Sequence, residues 1–434
     1  MRVDESSFIF DSERTVFKFQ DATLTSSCFS CIVSFYAFFL SLMFTAFNVD
    51  SSSITKNYNG MQVIESENVS YSLLMLPQLS YSNAFYTVFL DLNNICQSTC
   101  SIEAEFVFLN NDNMNSDVMQ IQLLTNPGIQ RLFSTGYFSY YFAMAQIHVI
   151  FDKINISENP KLIVAYGDSA FEKKTIVLRI IFSIMSSICI VTNITTLLLF
   201  KWNTIRFETI VSLYGLIFSL ISNFPYQLFH KYFGELPALC FNYISNGIFS
   251  SYTHINLFLC IYKANDGQNI LLTLIICFTF IASNALSELT ADTRIAERFF
   301  GVDLAIWMFF LSITVMGRFT IFALIFHNLY QLTQKLSTII PLPSNQRRIN
   351  CSKKKSNLYN AYIAISIINF CSFLMSTGYF LKNGFSNFAV EFFSNYIVPT
   401  FTALILVDIH WPQFPPLKHQ LIDILESRNT GDKI

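Results

Sequence analysis

LPALCFNYISNGIFSSYTHINLFLCIY, residues Leu236 to Tyr262, carries no charge over twenty-seven positions. At ~1.5 Å of helical rise per residue it exceeds the ~30 Å hydrocarbon core of a bilayer, and it reads as a transmembrane helix. Within it Asn242, Asn246, Ser250 and His254 recur at every fourth position, so they share one slowly drifting helical face. Polar groups in hydrocarbon need partners on neighbouring helices or a wet cavity, so this face is expected to point into a bundle. Two readings follow: hydrogen bonding between helices, or the wall of a ligand cavity.

The rest of the chain fits a membrane setting. Of 434 residues 52% are hydrophobic and 13% charged, with 47 Phe against 13 Gly and 11 Pro, whereas soluble domains carry ~25% charged residues. A net charge of −2, with no basic stripe, gives no reason to expect a nucleic-acid partner. The ten cysteines form no zinc-type pair of C-x2-C motifs. Cys189, Cys240, Cys260, Cys277 and Cys371 fall in apolar runs, where a thiol serves as a small hydrophobe. Cys96 and Cys100 stand apart in a non-membrane region, as a short local disulfide if that region is lumenal or as two free thiols otherwise.

Taken in order, residues 1–27 form a polar segment and residues 28–49 an apolar run too long for an ordinary signal-peptide core, read as an uncleaved signal anchor with cleavage as the alternative. From 50 to 174 the pattern changes to a period of two: Ile102, Ala104, Phe106 and Phe108 alternate with Ser101, Glu103, Glu105 and Val107, and Met119, Ile121 and Leu123 with Gln120 and Gln122. Similar runs at Phe85 to Leu92, Met144 to Phe151 and Leu162 to Tyr166, with Asn- and Asp-rich turns between, predict an all-β sandwich. The sequons at Asn68 and Asn155 lie inside it as candidate glycosylation sites on a lumenal face, and a third at Asn193 lies in an apolar run and is expected to be inaccessible.

Seven apolar runs fill residues 175–409: Ile180 to Phe200, Thr209 to Phe229, Leu236 to Tyr262, Gly267 to Ser287, Leu304 to Phe326, Ser356 to Leu381 and Phe385 to Val407. Residues 410–434 form a short tail. With a cytosolic N-terminus, nine Lys and Arg fall in cytoplasmic loops and four in the opposite loops, so the positive-inside rule places both termini in the cytosol and the sandwich in the lumen or outside the cell. The basic stretch Lys335 to Lys355 is the longest cytoplasmic loop, a topology signal or a surface for a coupling protein or anionic lipid.

Catalytic chemistry is sparse. No H-E-x-x-H occurs, and Asp303, Glu391 and Asp408 are expected at the ends of spans rather than paired at mid-depth. His230, His254, His327 and His410 could supply a hydrolytic zinc site only if the topology brought them to one depth. The expectation is a non-enzyme with no metal and no cofactor. Arg318 interrupts its span, and a mid-helix arginine costs ~2.5–3.5 kcal/mol on translocon scales. It is therefore expected to be paired, snorkelled or placed at a polar cavity floor.

The order of N-terminal span, lumenal sandwich and seven spans, with Thr400-Phe401-Thr402-Ala403-Leu404-Ile405-Leu406-Val407 and Trp411-Pro412 closing the last span, resembles the Wntless-like branch of the GOLD-domain seven-transmembrane family. The resemblance implies a GPCR-like seven-helix bundle capped by a GOLD-like sandwich, with a cavity between them. It also implies a role in trafficking secreted or membrane cargo through Golgi, endosomes or plasma membrane, with membrane lipid and lipid-modified secreted proteins as partners. A signalling receptor is the competing class, although Ile397-Val398-Pro399-Thr400-Phe401 does not match the N-P-x-x-Y of rhodopsin-like receptors; a channel ranks lower.

Overall fold

The computed structural model describes residues 36, 38–59, 69–76, 85–92, 100–109, 116–125, 128–136, 142–151, 161–199, 207–226, 232, 234–264, 270–301, 304–337, 346–383 and 387–411. Asn68, Asn155, Cys96, the Cys100 side chain, residues 1–27 and the tail beyond residue 411 lie outside the described residues.

A short apolar helix, α1 (Phe38–Asn48), leads into eight strands: β1 (Ser53–Asn59), β2 (Val69–Leu76), β3 (Phe85–Asp91), β4 (Cys100–Leu109), β5 (Ser116–Thr125), β6 (Ile129–Gly136), β7 (Phe142–Phe151) and β8 (Lys161–Gly167). They form two four-stranded sheets, ordered β1-β8-β3-β6 and β2-β7-β4-β5, with every pairing antiparallel. The sheets face each other. Phe106 and Phe108 of β4 each lie 5.4 Å, ring to ring, from Phe133 of β6. The alternation read from β4 holds, since Ile102, Ala104, Phe106 and Phe108 are buried and Glu103 is exposed. The polar β1, SITKNYN, and β6, IQRLFSTG, were not legible as strands from their residues, because neither keeps a clean period of two.

The first sheet is covered on both faces. Tyr86, Val88 and Leu90 of β3 are buried, with Tyr86 against Phe133 inside the sandwich, while Phe85, Thr87 and Phe89 line a space shared with the helices. A bulge in the β3–β6 pairing, where Val88 faces Phe133 but Phe89 faces Arg131, inserts Leu132 as an extra residue. The extra residue shifts the alternation by one. Arg131 consequently faces the helices instead of the space between the sheets.

Helix α2 (Ser169–Leu199) follows at once. Its start is capped by the Asp168 carboxylate, which accepts from the Phe171 N–H at 3.0 Å; the helix begins six residues before residue 175, where the bundle was expected to start, and takes in Arg179. Then come α3 (Phe207–Ser222), α4 (Glu235–Ala264), α5 (Ile270–Ala291), the eight-residue α6 (Thr293–Phe300), α7 (Leu304–Ser337), α8 (Gln346–Asn383), α9 (Phe388–Phe392), one π turn (Phe393–Ile397) and α10 (Val398–Ile409). Pro399 accounts for the π turn: it has no N–H and its ring crowds the carbonyl four residues back, so the wider turn before it accommodates the fault.

Five described helices are long and apolar enough to cross a membrane: Ser169–Leu198, Thr273–Ala291, Ile306–Gln334, Tyr359–Phe380 and Phe388–Ile409. Two of the expected seven fall short of that measure. α3 has 16 residues, and α4 is 30 residues long but too rich in Asn, Ser, Thr and His. Its polar side chains Asn242, Asn246, Ser250, Thr253, His254 and Asn256 are all buried, so neighbouring helices cover what hydrocarbon would not accept. By contrast α2, α5 and α7 present exposed Ile184, Ile188, Val191, Ile275, Phe278, Phe309 and Met316, an apolar exterior suited to lipid. The last apolar segment, Phe388–Ile409, is 78% buried against 22% for α2 and runs through the middle of the helices.

Candidate functional site

Among the described residues, two clusters of hydrogen bonds fasten the sandwich to the helices. At the first, Asp292 caps α6 through Oδ1, which accepts from the N–H groups of Arg294 (3.0 Å) and Ile295 (3.4 Å). Its Oδ2 accepts from the Thr135 hydroxyl (2.8 Å), the Gly136 N–H (3.1 Å) and the Tyr243 hydroxyl (3.3 Å), joining β6 to α4. Thr293 Oγ1 also accepts from the Ser134 N–H at 2.9 Å. At the second, Asn387 caps α9, accepting from the Ala389 N–H at 3.0 Å, while its Nδ2 donates to the Val49 carbonyl at 2.8 Å and the Ser52 hydroxyl donates to its Oδ1 at 3.1 Å. One small side chain thus ties the exit of α1 and the entry of β1 to the last helices.

Between these two fastenings lies a cavity of about 160 Å³. Thr87, Phe89, Arg131 and Ser134 wall it from the sandwich, and Asn242, Tyr243, Asn246, Glu288, Trp307, Phe388, Glu391 and Tyr396 from the helices. The Arg131 guanidinium sits 3.7 Å from the centre of the Trp307 ring, a stacking that suits its delocalised, weakly hydrated charge. Burial pushes its pKa down to about 10, opposed by the charge of Asp292 and then by Tyr243; it remains cationic at neutral pH.

The four-residue stripe on α4 divides in two. Asn242 and Asn246 line the cavity. Asn242 Oδ1 accepts from Arg179 at 3.1 Å, whereas the buried Asn246 Oδ1 meets no donor. Ser250 and His254 do not reach that cavity and are engaged by helix contacts: Asn284 Nδ2 of α5 donates to Ser250 Oγ at 2.8 Å and to the Gly247 carbonyl at 2.7 Å, and His254 Nδ1 lies 2.7 Å from the Ser250 carbonyl. Arg318 donates to Asn284 Oδ1 at 3.3 Å and approaches the Phe373 ring at 5.8 Å, so it is paired with the far side of the same amide and does not form the cavity wall.

Arg179 outranks Arg318 in enclosure. It is 1% exposed; its Nη2 donates to the Ser222 carbonyl (2.9 Å), the Phe224 carbonyl (2.9 Å) and Asn242, and its guanidinium lies 4.7 Å from the Tyr396 ring. Arg179, Arg131, Asn284 and Glu288 escaped the sequence reading. Arg179 falls one residue before the apolar run Ile180 to Phe200, Arg131 depends on a bulge, and Glu288 falls one residue after the run Gly267 to Ser287. Asn284 had a weak signal, four residues before Glu288 and beside Ser283 and Ser287. Glu391, expected at the end of a span and unpaired, shares the cavity wall with Glu288.

The other candidates disperse. His254 bonds within α4, His410 Nε2 lies 2.9 Å from the Tyr362 hydroxyl, and His327 Nε2 lies 2.8 Å from Gln331; His230 is outside the described residues. Among the described residues no group of three or more His, Cys, Asp or Glu side chains is placed to hold a metal ion. Cys189, Cys240, Cys260, Cys277 and Cys371 are free thiols; Cys260 and Cys277 are buried and Cys371 is exposed. Asn193 is buried, as the apolar run around it implied. Neither a family model nor a curated protein matches the chain.

Proposed function

We propose that this chain is a multi-pass membrane protein of the secretory or endosomal pathway, acting as a trafficking receptor or carrier that holds its cargo where a lumenal sandwich meets a seven-span bundle. The observation that carries the reading is the junction cavity, walled by side chains of both parts and flanked by the Asp292 and Asn387 fastenings. A ligand there touches both at once, which is what a receptor needs in order to couple occupancy to the relative position of its domains. The seven-span arrangement is supported by alternation. The starts of α2, α4, α7 and α9 and the ends of α3, α5 and α8 all gather at the sandwich side, through Asp168, Tyr243, Trp307, Asn387, Ser222, Ala291 and Phe380.

The cavity volume narrows what is held. Pockets for drug-sized molecules run from ~300 Å³ upward, so about 160 Å³ suits a compact polar group rather than the length of an acyl chain. The same size favours a second reading, a signalling receptor for a small molecule. Purification of the full chain from native membranes, with mass spectrometry of what accompanies it, tests the first. Asn246→Phe, which fills the cavity, should remove the bound species while the protein stays folded and correctly glycosylated. An unchanged set of bound species in that variant would remove the basis for the proposal, and loss of cytosolic signalling with normal cargo traffic would favour the receptor.

A further inference from the structure

Three hydrogen-bond acceptors face the junction cavity without a donor. Asn246 is 5% exposed and its Oδ1 has no partner, and the carboxylates of Glu288 and Glu391 make no hydrogen bond or ion pair among the described residues. The compensation of the two acids is unequal. Arg318 reaches α5 at Asn284, one helical turn before Glu288, whereas the segment Phe388–Ile409 that carries Glu391 holds no Lys or Arg of its own. Arg131, the one cation among the described residues of the wall, is taken up against Trp307. Aromatic rings from Phe388, Phe392 and Tyr396 complete the side on which Glu391 stands.

A set of acceptors with no donor, one uncompensated carboxylate and a ring-lined wall is the complement of an organic cation, whose N–H groups need acceptors and whose charge is attracted to aromatic faces. Building on the receptor reading above, we infer that the cavity takes a small organic ammonium ion, a protonated primary or secondary amine. Glu391 is its counter-ion, Asn246 Oδ1 accepts one of its N–H bonds, and the rings enclose its carbon body. The volume sets the size. A cavity of ~150 Å³ holds one benzene ring, so about 160 Å³ admits an arylmethyl or short alkyl amine and no more.

The test uses the full chain in lipid nanodiscs, titrated with benzylamine, benzyl alcohol and benzoate, three probes of one ring and different charge, at neutral pH and fixed salt. Benzylamine is expected to raise the melting temperature saturably, the alcohol weakly and the benzoate not at all. Glu391→Gln should weaken benzylamine binding by about tenfold or more, as loss of a charge-assisted contact does, while Glu288→Gln costs less and Asn246→Phe abolishes binding. If Glu391→Gln does not fold, Glu391→Asp must still bind and Asn246→Ala must bind more weakly. Equal or tighter binding of the alcohol or benzoate, or benzylamine binding that survives Asn246→Phe, overturns the assignment. An anionic or neutral species recovered from native membranes and lost on cavity filling would sink the amine and leave the receptor standing. Absence of any cavity-dependent ligand would sink both.

Discussion

Arg179 and Arg318 show how two arginines on apolar helices differ in worth. Replacing Arg179 by leucine leaves Asn242 Oδ1 and the Ser222 carbonyl short of a donor inside the protein, while the Phe224 carbonyl keeps the Tyr226 N–H, and orphaned buried acceptors cost ~1–3 kcal/mol each. Arg179→Leu is expected to destabilise the protein by about 3 kcal/mol or more, and Arg179→Lys to rescue it only in part, since an ammonium does not reproduce the planar fork. Arg318 gives up one 3.3 Å bond to Asn284 and a distant ring contact. Arg318→Leu should therefore cost less than Arg179→Leu. Melting curves of both variants in one detergent decide the order, and the reverse order would show that Arg318 carries a charge interaction stronger than its geometry suggests.

Helix packing around α4 depends on close approach. A Cβ placed on Gly247 would lie 2.8 Å from Ala285 Cα and 3.1 Å from the Asn284 carbonyl, so Gly247→Ala must push α4 and α5 apart. Overpacking of this kind costs ~1–3 kcal/mol, and it would also pull Asn284 from the Gly247 carbonyl. At Gly317 the same addition meets the Phe280 ring at 2.8 Å, a side chain able to turn aside; Gly317→Ala should be the milder change, measured again by thermal stability. The Asn387 fastening makes a separate prediction. Asn387→Asp keeps an N-cap acceptor for α9 but loses the donor to the Val49 carbonyl, whereas Asn387→Ala loses both. If the contact with Val49 is what seats the sandwich, both variants should increase protease sensitivity at the α1–β1 junction, and only Asn387→Ala should add the ~1 kcal/mol cost of a lost cap.

For the whole chain, the seven-span proposal predicts a definite sidedness. Glycan is expected at Asn68 or Asn155, with terminal tags accessible from the cytosol. A sequon engineered between Ser344 and Asn350, a stretch whose described part is the first turn of α8, should stay unmodified, because the seven-span proposal puts the end of α7 and the start of α8 on the side opposite the sandwich. Glycosylation there would invert the topology and place the junction cavity on the cytosolic side, incompatible with a lumenal ligand.

How far residues alone could reach is plain from α4 and β4. A charge-free run of twenty-seven residues fixes a helix because every backbone group must be satisfied locally where water is absent, and the alternation from Ile102 to Phe108 fixes a strand with one buried face because side chains alternate across it. Those periods are local properties, and both appear with nearly the expected boundaries. The polar stripe was equally visible, but its meaning was not. Whether Asn246 meets a partner or a cavity, and whether Ser250 meets lipid or Asn284, depends on which helix stands opposite. Arg131 reaches the cavity only because Leu132 bulges, and Glu288 and Glu391, over a hundred residues apart, share a wall only because α5 and α9 converge beneath one sheet. A pattern can say that a polar group needs company, but the company itself is chosen by tertiary packing.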